Sequence, residues 1–121
     1  MTPSWAVEVG YVHEWLLGLD STTYELVIAA LELLEERGPT LGRPLVDSIK
    51  GSRHSNMKEL RPGSSGRSEV RVLFAFDPAR RAILLVAGDK SQDRRGWYQT
   101  NVPIADRRFD RHLEHQREGK G

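Results

Sequence analysis

The residues from 70 to 87 constrain the fold of this chain more than any other segment. Bulky apolar residues occupy every second position at its start, at Val70, Val72, Phe74 and Phe76. A period of two is typical of a strand with one buried face. Residues 82–87 form a continuous apolar run, which favours a central strand. Because Asp77-Pro78-Ala79 predicts a turn between them, we expect two adjacent antiparallel strands.

Weaker signals on the N-terminal side predict the rest of a sheet. In residues 5–9, large apolar side chains occupy every second position, which predicts a half-buried strand. The segment from Met57 to Arg61 predicts another strand. Residues 62–66, Pro-Gly-Ser-Ser-Gly, predict a loop. Residues 40–55 mix Gly, Pro and Ser with isolated apolar residues, which predicts a connection with room for a short strand or turn.

The segment from Thr22 to Arg37 predicts the clearest helix. Thr22 and Glu25 have the spacing of a capping box at its start. Its apolar stripe comprises Leu26, Val27, Ala30, Leu31 and Leu34. Gly38-Pro39 predicts its end, because Gly tolerates a positive φ and Pro cannot continue a helix. Residues 13–19 predict a single helical turn before it.

A second helix is predicted near the C-terminus, with Pro103 in its first turn. Ala105, Phe109 and Leu113 form only a narrow apolar stripe, so we expect a peripheral cover. His112 and His115 are interpreted as surface residues and not as a metal site, since no third ligand is evident. Residues 116–121 are expected to be a frayed tail.

These elements predict the α+β class, with a small twisted antiparallel sheet and helices packed on one face in two layers. The length of 121 residues suits one domain, residues 1–121. Cysteine is absent, which excludes disulfides and zinc fingers. The sequence has neither a membrane-spanning run nor a signal-peptide pattern. We therefore expect a cytoplasmic protein without membrane contact.

The net charge of +1 hides a segregation of charge along the chain. Residues 1–36 contain seven acidic residues and no Lys or Arg, whereas residues 37–100 contain thirteen basic residues against six acidic ones. Such asymmetry predicts that one face meets a polyanion. The alternative is that the acidic helix and the basic sheet pair with each other.

The basic segment lacks the Walker loop, the nucleophile elbow and the metalloprotease motif. Metal-free RNA cleavage needs less: one group to accept the 2′-hydroxyl proton, one to protonate the leaving oxygen, and cations to hold the phosphate. Arg71 suits the last task, since it interrupts a hydrophobic strand on the face opposite Val70 and Val72. An ordinary outward-facing arginine is the alternative.

An aromatic pair lies beside two further arginines. Trp97 and Tyr98 follow Arg94 and Arg95, which predicts a surface for base stacking and a phenol near phosphate-binding cations. Core packing is the alternative for both rings. Arg53, in the predicted connection, and Arg67, directly after the predicted loop, are further candidates for RNA contact.

The run from Asn56 to Pro78, with Ala82 to Lys90, Trp97-Tyr98, residues 41–45 and residues 102–105, resembles HigB toxins of the RelE/ParE superfamily. It is similar in particular to the phage-derived branch, over residues 5–113. The resemblance implies a RelE-like fold and a type II toxin: a ribosome-dependent mRNA endonuclease without metal or cofactor, acting in the ribosomal A site. It also implies a HigA-like helix-turn-helix antitoxin, through which alone operator DNA would be bound.

The resemblance further implies roles for five residues. Lys58 and Arg61 match basic residues that hold the phosphate, and Arg71 matches the arginine that stabilises the scissile phosphate. Lys90 matches the basic residue that closes the last strand, and Tyr98 matches the aromatic general base. In RelE itself an arginine acting as the acid follows that lysine, whereas Ser91 follows it here.

This departure leaves the general acid open between Lys90, Arg94 and Arg95, or absent. Two other functions remain alternatives, because the same fold can carry different functions. One is a ParE-like gyrase inhibitor, which would not need the basic cluster. The other is an inactive homologue that binds the antitoxin as a regulatory module.

Overall fold

Five strands and three α-helices make up the fold in the computed structural model, which describes residues 5–63 and 66–119. The strands are β1 (Ala6–Glu8), β2 (Val46–Ser48), β3 (Lys58–Leu60), β4 (Val70–Phe76) and β5 (Arg81–Asp89). The helices are α1 (His13–Leu17), α2 (Ser21–Arg37) and α3 (Arg94–Glu118), with short 3-10 turns at Gly10–Val12 and Gly38–Thr40. None of these helices is long and apolar enough to cross a membrane.

The strands form one sheet in the order β1-β5-β4-β3-β2. The predicted central pair is confirmed, because β4 and β5 are antiparallel neighbours over the whole length of β4. β3 and β2 continue the antiparallel sheet, so the connection at residues 40–55 does contain a short strand. β1 differs from the expectation, since it lies parallel to β5. The predicted loop at 62–66 includes residues 64 and 65, which lie outside the described residues.

Helix α2 begins earlier than the sequence suggested. Asp20 is its N-cap, and the Asp20 carboxylate accepts a hydrogen bond from the Thr23 backbone N–H at 3.0 Å. The predicted capping box is therefore wrong, because Thr22 and Glu25 already lie inside the first turns. Four of the five predicted stripe residues are buried, while Leu26 is 38% exposed. The helix ends at Gly38 as predicted.

Helices cover both faces of the sheet. α1 and α2 pack on one face, in a core with Val72, Phe74 and Leu84. α3 packs on the other face, in a second core that contains Leu73 and Ala75. The α+β class and the RelE-like fold are confirmed, but the expected two layers are three. The reason is that β4 is apolar on both faces, so its second face also has to be covered.

Helix α3 begins nine residues before Pro103, which therefore lies inside the helix and not in its first turn. The Asp93 carboxylate caps the helix by accepting a hydrogen bond from the Gly96 N–H at 3.0 Å. Residues 116–118, expected in a frayed tail, are helical. His112 is only partly exposed, at 18% of its side chain, and its Nε2 lies 2.8 Å from Oδ2 of the buried Asp77. His115 is exposed as expected.

A β-bulge in β5 decides which side chains face α3. Leu73 pairs with Val86 while Phe74 pairs with Leu84, so Leu85 is an extra residue. Leu85 and Val86 both pack in the core beneath α3. Because alternate residues of a strand share a face, Gly88 and Lys90, two residues later, then lie on the α3 face.

Gly38 supports a contact that ties the N-terminus to the end of α2. Its φ is +55°, and a Cβ there would lie 2.2 Å from Nε1 of Trp5. We expect Gly38→Ala to lower the free energy of unfolding by about 2–4 kcal/mol, from backbone strain and overpacking together. Urea denaturation measures it.

Gly42→Ala is the matched control, because no atom lies within 4 Å of a Cβ at that position. It should change stability by less than about 0.5 kcal/mol. Equal stability of the two variants would contradict the packing of Trp5 on Gly38.

Candidate active site

A buried carboxylate lies at the centre of a group of charged side chains between the sheet and the start of α3. Glu59 is only 3% exposed. Its Oε1 accepts a hydrogen bond from the Tyr98 hydroxyl at 2.6 Å and lies 3.4 Å from Nε of Arg71. Its Oε2 accepts a hydrogen bond from Nη2 of Arg61 at 3.1 Å. Together with Lys90, whose Nζ lies 5.3 Å from the centre of the Tyr98 ring, these residues are the Glu59 cluster.

Strand register explains why the cluster forms. Glu59 on β3 is opposite Leu73 on β4, and both side chains face α3. Arg71 is two residues before Leu73 and is opposite Gly88 on β5. The bulge at Leu85 sets the direction of Lys90, which lies two residues after Gly88. Strands β3 and β4 and the residue that follows β5 therefore each supply one charged side chain to the same face.

Close packing at Gly88 places the phenol. A Cβ at Gly88 would lie 2.7 Å from Nε1 of Trp97, so the indole occupies the space that a side chain would take. Trp97 contacts Tyr98 edge to face, with ring centres 5.2 Å apart. The absence of a side chain at Gly88 therefore lets the first turn of α3 lie on β5. Trp97 is half-buried in this packing, and its role in base stacking stays a prediction.

The pKa values of Tyr98 and Lys90 in the cluster are shifted in opposite directions. Burial and the hydrogen bond to Glu59 raise the pKa of Tyr98 to about 12. Burial and the positive charge of Arg71 lower the pKa of Lys90 below its usual value. The phenol thus holds its proton more firmly than a free tyrosine, and the ammonium releases its proton more readily than a free lysine.

Four of the five residues with predicted catalytic roles meet in this cluster: Arg61, Arg71, Lys90 and Tyr98. The fifth, Lys58, does not reach it. Lys58 alternates with Glu59 along β3 and is opposite Phe74, which belongs to the α2 core. Strand alternation therefore places Lys58 on the other face of the sheet.

The predicted RNA-binding residues lie outside the cluster. Nη2 of Arg94 is 2.7 Å from Glu69 Oε2, while Arg53 forms an ion pair with Asp110. Arg67 and Arg95 are exposed, and the described part of the chain supplies no partner to either. RNA contacts of these four residues and of Trp97 stay predictions.

Sequence reasoning missed Glu59 and Asp106. The signal for Glu59 was its position two residues after Met57, which makes it a charge on a core-facing side of a strand. Asp106, 3% exposed, accepts hydrogen bonds from the Ser52 hydroxyl at 2.5 Å and the Arg53 backbone N–H at 3.1 Å. No sequence pattern indicated Asp106, because its partners lie more than fifty residues away along the chain.

Asp106 and Asp110 together fix the segment after β2 to α3. Nε2 of His54 lies 2.7 Å from Asp110, next to the ion pair with Arg53. The residues before Ser52 are thereby held against the first half of α3. Within residues 5–63 and 66–119, no three His, Cys, Asp or Glu side chains gather as a metal site.

The hydrogen bond between Tyr98 and Glu59 can be tested by titrating the phenol. We expect Tyr98 to titrate at about 12, and Glu59→Gln to lower that pKa because the charged acceptor is lost. Burial keeps it above 10 in the variant. NMR of ring-labelled tyrosine follows the titration. Since the folded chain binds this proton more tightly than the unfolded chain, the free energy of unfolding should fall as pH rises from 10 to about 12.

Glu69→Gln serves as the control, because Glu69 pairs with Arg94 and does not contact Tyr98. It should leave the titration of Tyr98 unchanged. A Tyr98 pKa near 10 in the folded wild-type chain would refute the cluster geometry.

Comparison with known proteins agrees with this architecture. Residues 14–110 match the family described as "Phage derived protein Gp49-like". Over 109 residues the chain is 61% identical to "Putative toxin HigB2" of Mycobacterium tuberculosis H37Rv. The aligned residues cover 90% of this chain and 54% of that protein. The chain thus spans about half the length of that relative.

A second relative matches over nearly its full length. "Putative toxin HigB3" of the same strain is 47% identical over 108 residues, which cover 89% of this chain and 92% of that protein. The resemblance to the phage-derived branch is confirmed. This chain belongs to the Gp49-like family of phage-derived proteins.

Proposed function

We propose that this chain is the toxin of a type II toxin-antitoxin pair and that it cleaves mRNA on the ribosome without a metal ion. The observation that carries the proposal is the Glu59 cluster, in which Arg61, Arg71, Lys90 and Tyr98 converge on one sheet face. The names of both relatives, as HigB toxins, support the toxin function. The nuclease reaction rests on the chemistry of the cluster.

The two arginines are suited to hold the scissile phosphate. A guanidinium has five N–H donors, and the contacts with Glu59 use only part of them. Because the side chains of Arg61 and Arg71 are 33% and 16% exposed, we expect their remaining N–H groups to reach a phosphate. A phosphate dianion-like transition state would attract both cations more strongly than the ground state does, which is the condition for catalysis.

Tyr98 and Glu59 are suited to accept the proton of the attacking 2′-hydroxyl. A phenol whose pKa is about 12 holds almost no negative charge at neutral pH, so Tyr98 cannot act as a preformed phenolate. Its hydroxyl already donates to Glu59 at 2.6 Å. We propose that Tyr98 accepts the 2′-hydroxyl proton while it passes its own proton to Glu59.

Lys90 is the best candidate for the general acid. The 2′-oxygen bonds to phosphorus and the bond from phosphorus to the 5′-oxygen breaks, so the leaving 5′-oxygen needs a proton. The lowered pKa of Lys90 favours that transfer. Arg94 is a poor donor by comparison, because its ion pair with Glu69 raises its pKa. The products would be a 2′,3′-cyclic phosphate and a 5′-hydroxyl end.

The proposed partners are those that the family resemblance implies. They are mRNA in the ribosomal A site and a HigA-like helix-turn-helix antitoxin, which would connect the toxin to operator DNA. The glutamates on the outer side of α2 are available to the antitoxin, since in the described residues they form no ion pair with the sheet. We propose a cytoplasmic location for this reaction.

Arg71→Ala tests the nuclease directly. We expect growth arrest on induction of the wild-type chain, with new 5′-hydroxyl ends inside coding regions. The variant should reduce cleavage at least about a hundredfold, because a positioned donor to the phosphate is lost. Sequencing of mRNA 5′ ends measures the loss.

Arg111→Ala is the matched control, an exposed arginine on α3 outside the cluster. It should cleave as the wild type does, and circular dichroism should show both variants folded. Arrest without new 5′-hydroxyl ends would point to gyrase or another target. A soluble, folded wild-type chain that causes no arrest would support the regulatory-module alternative.

The acidic side of α2 generates a prediction about the antitoxin. Changing Glu32, Glu35 and Glu36 together to Gln should weaken binding of the antitoxin encoded beside this chain by about tenfold at low salt, because charge complementarity is lost. The effect should shrink as salt rises. Isothermal titration calorimetry at two salt concentrations measures both.

The double variant Glu114→Gln and Glu118→Gln removes exposed acids from α3 and should bind normally. Unchanged affinity and unchanged salt dependence in the α2 variant would remove α2 from the interface.

A further inference from the structure

A cavity of about 310 Å³ adjoins the Glu59 cluster on the outer side of Tyr98. It lies between the segment after β2 and the first half of α3, and its lining residues are Lys50, Gly51, Tyr98, Gln99, Val102 and Pro103. Its size is at the lower end of the range for small-molecule sites. We infer that this cavity, the Gln99 pocket, binds the nucleobase next to the scissile phosphate, an inference that rests on the proposed function.

The chemistry of the walls suits a base. Tyr98, Val102 and Pro103 offer the aromatic and apolar surface against which an unstacked RNA base packs. Gln99 is exposed, and its side-chain amide has no partner among the described residues. A carboxamide presents both donors and an acceptor, which is the combination needed to read the edge of a base.

Pro103 adds an acceptor to the same wall. Inside a helix, proline lacks the N–H that would bond to the carbonyl four residues earlier. Here that carbonyl belongs to Gln99, which also lines the pocket. The backbone oxygen of Gln99 is thus without the usual donor, beside the free amide of the same residue.

The opposite wall is held in place and carries positive charge. Asp106 binds the Ser52 hydroxyl and the Arg53 backbone N–H, which fixes the chain immediately after Lys50 and Gly51 against α3. Lys50 is exposed, and the described residues offer it no carboxylate. Its ammonium can therefore meet the phosphate on the far side of the bound base. Because Tyr98 belongs to both sites, a base in the pocket would position the adjacent 2′-hydroxyl near the phenol.

Binding of uncleavable RNA tests the pocket. The probes are four 2′-O-methyl RNA hexamers, each of a single base, added to the full isotopically labelled chain. We expect at least one hexamer to shift the side-chain amide resonance of Gln99 in NMR spectra. Gln99→Ala should weaken the binding of that hexamer about tenfold, which equals about 1.4 kcal/mol. It should also reduce the differences in affinity between the four hexamers.

Gln99→Trp, which fills the pocket, should weaken all four hexamers at least as much. Thr100→Ala is the control, since Thr100 is exposed on the neighbouring turn of α3 and does not line the pocket. It should bind as the wild type does. An unshifted Gln99 amide with all four probes, or equal affinities for wild type and both Gln99 variants, would overturn the inference.

Sequencing of cleaved ends separates this inference from the proposed function. If wild type and Gln99→Ala both produce 5′-hydroxyl ends with the same base preference at every position around the cut, the pocket fails while the nuclease stands. If the wild type produces no such ends, the nuclease fails, and the NMR result alone decides whether the pocket binds RNA.

Discussion

The carboxylate of Glu59 organises the part of the fold that carries the proposed chemistry. It is buried, yet it contacts a phenol from α3 and guanidinium groups after β3 and on β4. Burying such a carboxylate costs desolvation, and a buried ion pair is often no more stable than apolar residues of the same volume. Stability alone therefore gives little reason for the arrangement. A positioned set of donors around an anion is, however, what a phosphate site requires.

Two backbone features bring the remaining groups to that carboxylate. Without the extra residue Leu85, strand alternation would turn Lys90 toward α2, because residues two apart share a face. If position 88 carried a side chain, Trp97 could not lie on β5, and the start of α3 would be displaced. The geometry of the cluster thus depends on residues that carry no chemistry themselves. A substitution at Gly88 or in the bulge should be read as a change of position and not of reactivity.

Hydrophobic periodicity predicted the long elements of the fold better than the short ones. For β4 and α2 it predicted the buried face and the approximate limits, because each element buries a continuous apolar stripe. Pro103 misled the prediction of α3, since proline is common in a first turn and costly inside a helix. Four cluster residues could be named from the sequence through a family resemblance. Glu59 was missed although it lies two residues after Met57, and Lys58 was expected on the wrong face of the sheet, because both depend on the register of a three-residue strand.

The charge segregation along the chain becomes a separation in space. The acidic helix α2 and the Glu59 cluster lie on opposite faces of the sheet. In the described residues, the glutamates of α2 do not pair with the basic residues, which argues against the alternative that the two segments neutralise each other. Instead, nearby carboxylates such as Asp47 and Glu59 partly compensate the arginines. Two faces of different charge would allow one partner to bind α2 while the proposed RNA substrate occupies the other face. Under the proposed function, an antitoxin confined to α2 would have to inhibit by excluding the chain from the ribosome and not by covering the cluster.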